Sequence, residues 1–189
     1  IEPGRHGVTV DALDVVSGRR ERWQARQVVV ALPVHVAARV VQPLPAALRE
    51  RAAGLRSAPW LVANLRLRAP LDDRPGAAPS WDNVLYGSAG LGYVDAMHQS
   101  LAPVPGPTVL TWYQALGDVS GGREQLLRRP WSHWRDAVLA ELGAAHPDLA
   151  AKTLRIDITR YGHAMAVPVP GVLNQIRLQR SSIQRKQLS

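Results

Sequence analysis

Hydrophobic and polar positions alternate most regularly over residues 60–69, where Leu61, Ala63, Leu65 and Leu67 share one face of an extended chain and Val62, Asn64, Arg66 and Arg68 share the other. That period predicts a strand with one buried face and one polar face. Residues 108–116 repeat the pattern, with Val109, Thr111 and Tyr113 opposing Leu110, Trp112 and Gln114. Shorter strand candidates lie at 84–86 and 92–96. Near the start, Val8, Val10 and residues 13–16 read as a strand, Ser17-Gly18 as a turn and residues 23–32 as a returning strand, together a hairpin. The second strand ends in an unbroken apolar run, residues 28–32, which predicts burial on both faces, and Pro33 ends it.

The helical period appears later. Residues 45–53 are rich in Ala, Leu, Arg and Glu, with Pro45 at the first turn and Gly54 at the stop, which predicts a short exposed helix. A longer helical region spans about residues 122–145, interrupted at Pro130, which suits the first turn of a new helix. Trp131, Trp134, Val138 and Leu142 form its apolar stripe. Leu154, Ile156 and Ile158 then alternate with Arg155, Asp157 and Thr159 in a last strand, and residues 161–171 continue extended. Prolines and glycine mark residues 70–80 as a surface loop, and Pro103, Pro105 and Pro107 mark a second.

Composition narrows the class. At 189 residues, 46% apolar and 20% charged, the chain is one domain or one plus part of another, and global disorder is excluded. Zero cysteines exclude disulfides, thiolate metal sites and cysteine catalysis. No apolar stretch reaches the roughly 20 residues of a membrane span. The net charge is +8, which raises nucleic acid as a partner, but half of it comes from Arg177, Arg180, Arg185 and Lys186 at the end. Elsewhere arginine sits beside acids, as in Arg19-Arg20-Glu21-Arg22, so solvated faces are expected in preference to a nucleic-acid stripe. From Val172 onward Ala, Gly, Pro and acids vanish while four of the ten glutamines appear, so 172–189 is expected to be a basic, Gln-rich tail outside the evolved fold. The first residue is Ile1 with no charged-then-apolar leader, so a removed signal or a piece of a longer protein is expected. The cytoplasm is the favoured compartment.

No catalytic centre emerges from spacing. The six histidines form no His-x-x-x-His pair, so no metal site is expected. Ser132, His133 and Asp136 have the residue types of a triad but lie close together on one helix, pointing apart. Gly87, Gly90 and Gly92 run in the reverse order of a dinucleotide-binding turn and precede a strand. Asp72-Asp73 beside Arg74 read as a solvated turn.

Three segments in order carry a resemblance. A hairpin leading into Ala25-Arg26-Gln27-Val28-Val29-Val30-Ala31-Leu32-Pro33, then Ala58-Pro59-Trp60-Leu61-Val62-Ala63-Asn64-Leu65, then Arg160-Tyr161-Gly162-His163-Ala164-Met165 with Pro168, Pro170 and Gly171, resemble the middle and late portion of the flavin-containing amine oxidoreductases, the monoamine-oxidase-like family. The resemblance spans residues 1 to about 171. It implies FAD as cofactor, with the Ala31-Leu32-Pro33 turn near its adenine side. It also implies that Asn64 stands where many members have a lysine holding a water beside the reactive flavin nitrogen. Asn donates and accepts hydrogen bonds but carries no charge, so flavin-dependent oxidation is better supported than amine oxidation in particular. Trp60, Tyr93, Trp112, Tyr113 and His163 are pocket-lining candidates by the same resemblance.

The expected fold is α+β: residues 1–33 as a hairpin-bearing piece of an FAD-binding domain, and 34–171 as a substrate domain of mixed sheet with flanking helices. The expected function is that of a fragment of an FAD-dependent oxidoreductase, transferring a hydride from a small organic molecule, an amine among the candidates, to FAD. The family's glycine-rich phosphate turn would precede Ile1 and its late flavin-binding segment would follow Gly171, so these residues alone are expected to be inactive. The alternatives are a non-catalytic remnant, a subunit needing a partner cofactor domain, and a basic nucleic-acid-binding module.

Overall fold

The computed structural model describes residues 1–76, 80–102 and 104–170, so the expected tail at 172–189 lies outside the described residues. The described residues divide into two compact units, Ile1–Arg56 with Pro168–Pro170, and Ser57–Val167. The two helices that follow Pro33 pack on each other within the first unit.

The first unit holds a three-stranded antiparallel sheet, β1 (Glu2–Gly4), β2 (Gly7–Leu13) and β3 (Arg20–Ala25), then α1 (Val34–Val40) and α2 (Ala46–Gly54). The hairpin is where the pattern placed it, with shorter strands. Asp14 makes the turn, accepting from Val16 N at 2.9 Å and from the Ser17 hydroxyl, so Val15 and Val16 leave the strand and stand exposed. The apolar run after Ala25 is not a strand, and Val29 is 92% exposed. Apolar content alone does not make a strand: among the described residues no neighbouring strand pairs with this run, and its burial on both faces is not realised.

The second unit holds a five-stranded sheet of β4 (Ser57–Leu67), β5 (Asp82–Asn83), β6 (Gly92–Asp95), β7 (Thr108–Ala115) and β8 (Thr153–Ala166), in the order β5-β6-β7-β4-β8. The α+β class holds. Every ladder is antiparallel, where a mixed sheet was expected. β7 and β8 both run opposite to β4 and flank it, and the chain crosses between them through α3 (Gly122–Arg128), α4 (Trp131–Ala145) and α5 (Leu149–Lys152).

The pattern at 60–69 is realised: Leu61, Ala63, Leu65 and Leu67 have no exposed surface and pack with Leu110 and Trp112 of β7 and with Leu126, Trp134, Val138 and Leu142 of the helices. The helix stripe is corrected at its first residue. Trp131 is 47% exposed with the Arg135 guanidinium 5.2 Å from its ring, so burial begins at Trp134. Residues 84–86 are not a strand; β5 is the pair before them. Gly92 lets β6 pair with β5, because at φ 115° a Cβ there would meet Asn83 O at 2.1 Å.

Candidate functional site

Cross-strand register decides which side chains share a face. On β4 and β7, Ala63 faces Trp112 and Leu65 faces Leu110, all buried on the side of α3–α5. The alternate residues therefore share the face turned away from those helices. One row crosses all five strands there: Asp82, Val94, Thr111, Asn64 and Asp157. The next row brings Gly92, Tyr113, Val62 and Thr159 together, and the one beyond it Ala115, Trp60 and Tyr161.

The first row is mostly polar, while aromatic side chains gather on the next two. Trp60 and Tyr113 stack with ring centroids 6.1 Å apart and planes 13° from parallel. The Tyr113 hydroxyl lies 3.4 Å from Asp82 Oδ1, and burial together with that carboxylate raises the phenol above its ordinary value, keeping it neutral. Thr111 Oγ1 donates to Asn64 Oδ1 at 2.8 Å. Asn64 is half-buried, as are Thr111, Val62 and Tyr113.

The expected pocket residues do not all converge. Trp112 and Tyr93 lie on the opposite face, 1% and 6% exposed, where Trp112 Nε1 donates to Glu141 Oε1 at 2.7 Å and the Tyr93 hydroxyl meets His146 Nε2 at 2.7 Å. Two-residue periodicity forbids Trp112 and its neighbour Tyr113 from facing the same side. His163 Nδ1 sits 2.6 Å from Ser57 Oγ at the start of β4, and Arg123 holds that end through Gly162 O and Ser57 O, both at 2.7 Å. Seven residues of strand separate Ser57 from Asn64, about 23 Å, so His163 and Asn64 cannot line one small pocket. Of the five, Trp60 and Tyr113 share the face of Asn64. Thr111 and Asp82 are the residues the sequence reading missed. The alternation at 108–116 placed Thr111 with Tyr113, but only register places it beside Asn64. Ala31, Leu32 and Pro33 lie in the first unit as exposed residues leading into α1, with Pro33 as its N-cap.

Among the described residues no group of His, Asp or Glu could hold a metal ion, and no helix is long and apolar enough to cross a membrane.

No protein-family model and no curated protein matches the chain. Solved structures do: cyclohexylamine oxidase from Brevibacterium oxydans IH-35A matches 94% of this chain at a TM-score of 0.67 and 16% identity. The fold is that of one portion of the amine oxidase-like enzymes. A putrescine oxidase redesigned in its cofactor binding matches 83% at a TM-score of 0.59 and 14% identity. A protein provisionally assigned as a protoporphyrinogen oxidase, from Exiguobacterium sp. 255-15, matches 91% at 0.57 and 14% identity. This is the resemblance the three sequence segments carry, and at these identities it is a likeness of fold. The chain spans only 38%, 32% and 37% of those three amine oxidase-like structures.

Proposed function

We propose that Ser57–Val167 form the substrate-side sheet of an FAD-dependent oxidoreductase acting on a small organic molecule, with amines as the first class to test. The observation that carries this reading is the likeness to cyclohexylamine oxidase over 94% of the chain. The face turned from the helices supports it in kind. Stacked Trp60 and Tyr113 give flat apolar surface, and Asn64 gives a hydrogen-bonding group beside it. That combination fits a flavin ring, which is planar and carries acceptor atoms along one edge. FAD, when bound, supplies the acceptor for the substrate's hydride. The chain's own residues would orient the substrate and limit water at that face. Asn64 would hold a proton position by hydrogen bonding, without the charge a lysine would bring. Asp82 would favour a cationic ligand over an anionic one. The Ala31-Leu32-Pro33 turn is assigned, on the same reading, to the adenine side of the cofactor. This reading leaves out Tyr93 and Trp112, which are buried on the opposite face.

The test is made on the polypeptide as its gene encodes it, with these residues in native context. Visible flavin absorbance in the purified protein, bleached anaerobically by a primary amine, is the expected result. A cooperatively folded protein that carries no flavin and takes up none from added FAD overturns the reading. Flavin bleached by other small organic donors but by no amine keeps the oxidoreductase and removes the amine.

A further inference from the structure

Asn64 and Thr111 face each other across the β4–β7 ladder, and the Thr111 hydroxyl donates to Asn64 Oδ1 at 2.8 Å. An amide side chain has an acceptor oxygen and a donor nitrogen, and a bond to one fixes where the other points. Among the described residues Nδ2 of Asn64 has no partner. The geometry points to Thr111 as a positioning residue: it holds the Asn64 oxygen in the sheet and commits the amide nitrogen to be a donor on the face shared with Trp60 and Tyr113. The site therefore selects a flat ligand that brings a hydrogen-bond acceptor, and discriminates against one that brings only donors at that point. For the ligand's identity this rests on the flavin reading above; the positioning role does not.

The role follows from register and chemistry together. Thr is β-branched and stiff about χ1, so its hydroxyl is held in place by the strand, and the partner amide inherits that order. Of the neighbours on the row, Val94 has no polar side-chain atom, and Asp157 is drawn to Arg155 through Oδ1 at 2.7 Å. A fixed donor has less rotational freedom to lose on binding than a free amide, which is the advantage the hydroxyl confers.

The experiment is NMR on the isotopically labelled full chain, following the Asn64 side-chain amide in wild type, Thr111→Val and Thr111→Ser. Val keeps the shape and strand propensity of Thr without the hydroxyl; Ser restores the hydroxyl. In wild type and Thr111→Ser, the Asn64 amide nitrogen is expected to be as rigid as the backbone, with its protons remote from the residue 111 side chain. In Thr111→Val it is expected to become mobile while backbone signals of β4 and β7 stay in place. A wild-type amide that is already mobile, or whose protons lie against the Thr111 hydroxyl, overturns the assignment without any variant. An amide equally rigid in Thr111→Val overturns it too. Lumiflavin, a flavin ring without phosphates, is then titrated. Saturable movement of the Asn64 amide protons, with binding about fivefold weaker in Thr111→Val, supports the acceptor ligand. A rigid amide indifferent to lumiflavin leaves Thr111 in its role and overturns the flavin as occupant.

Discussion

Glu141 commits both carboxylate oxygens, one to Trp112 Nε1 at 2.7 Å and the other to Gly90 N at 3.0 Å, and so ties α4 to β7 and to the turn before β6. Trp112 is 1% exposed, so its indole N–H has no water to fall back on. Glu141→Ala is therefore expected to cost about 1–3 kcal/mol in urea unfolding, the range for orphaning a buried donor. Gly90→Ala strikes the same node from the other side, since a Cβ there would lie 2.4 Å from Glu141 Oε1 and 2.5 Å from Trp112 Nε1. His146 is the second polar clasp. It is 7% exposed, meets the Tyr93 hydroxyl with Nε2, and burial pushes its pKa below the ordinary 6.5, helped by Arg74 and opposed by Asp148. The folded protein thus prefers neutral His146. Stability from that preference is complete above the unfolded value of 6.5 and is lost as pH falls below it toward the folded value, because the unfolded chain there binds more protons. Melting temperatures at about pH 7.5 and about pH 5.5 should therefore differ more in wild type than in His146→Gln, which cannot titrate. Equal differences in the two proteins would assign the acid sensitivity elsewhere.

At the scale of elements, α4 shows what helical spacing can and cannot specify. Trp134, Val138 and Leu142 are buried as their spacing predicts, and Leu142→Ala should cost about 2–5 kcal/mol, since it empties a site with no exposed surface. Trp131 has the same angular phase, yet is half-exposed with Arg135 over its ring, so Trp131→Ala should cost about 1 kcal/mol or less. Denaturant midpoints of the two variants, with unchanged slopes, separate these expectations. Period gives the face of a helix but not how far along its axis the opposing sheet reaches. The strands teach the same lesson. The two faces of β4 and β7 were legible because alternation follows directly from the pleat. Their register, which pairs Asn64 with Thr111 and puts Trp112 on the other face, depends on contacts between segments more than 40 residues apart in sequence. The run at 28–32 was misread for a related reason: its apolar, β-branched residues satisfy strand propensity, but a strand also needs a partner, and propensity carries no information about one.

For the whole molecule, the unequal distribution of burial has a kinetic consequence. Every member of the hydrophobic core cluster lies within Ser57–Val167, and among the described residues of Ile1–Arg56 none is buried. Ordering backbone costs about 1–2 kcal/mol per residue, which only removal of apolar surface from water offsets on this scale. The sheet β1–β3 therefore has hydrogen bonds but little core behind them, whereas β4 is flanked by strands on both sides and covered by helices on one face. Local opening should follow that division. In native-state hydrogen exchange of the full chain, amides of Leu61, Ala63, Leu65, Leu110 and Trp112 are expected to exchange only through global unfolding, with protection that falls linearly with denaturant. Amides of β2 and β3, such as Val10 and Trp23, are expected to exchange orders of magnitude faster by local opening that denaturant barely affects. Equal protection in the two units would mean that Ile1–Arg56 draws its stability from something other than its own side-chain burial. Protection of β1–β3 that rises when FAD is added, with β4 and β7 unchanged, would place the cofactor's contribution in the unit that carries the Ala31-Leu32-Pro33 turn, because a ligand that binds only the folded form stabilises the segment it holds.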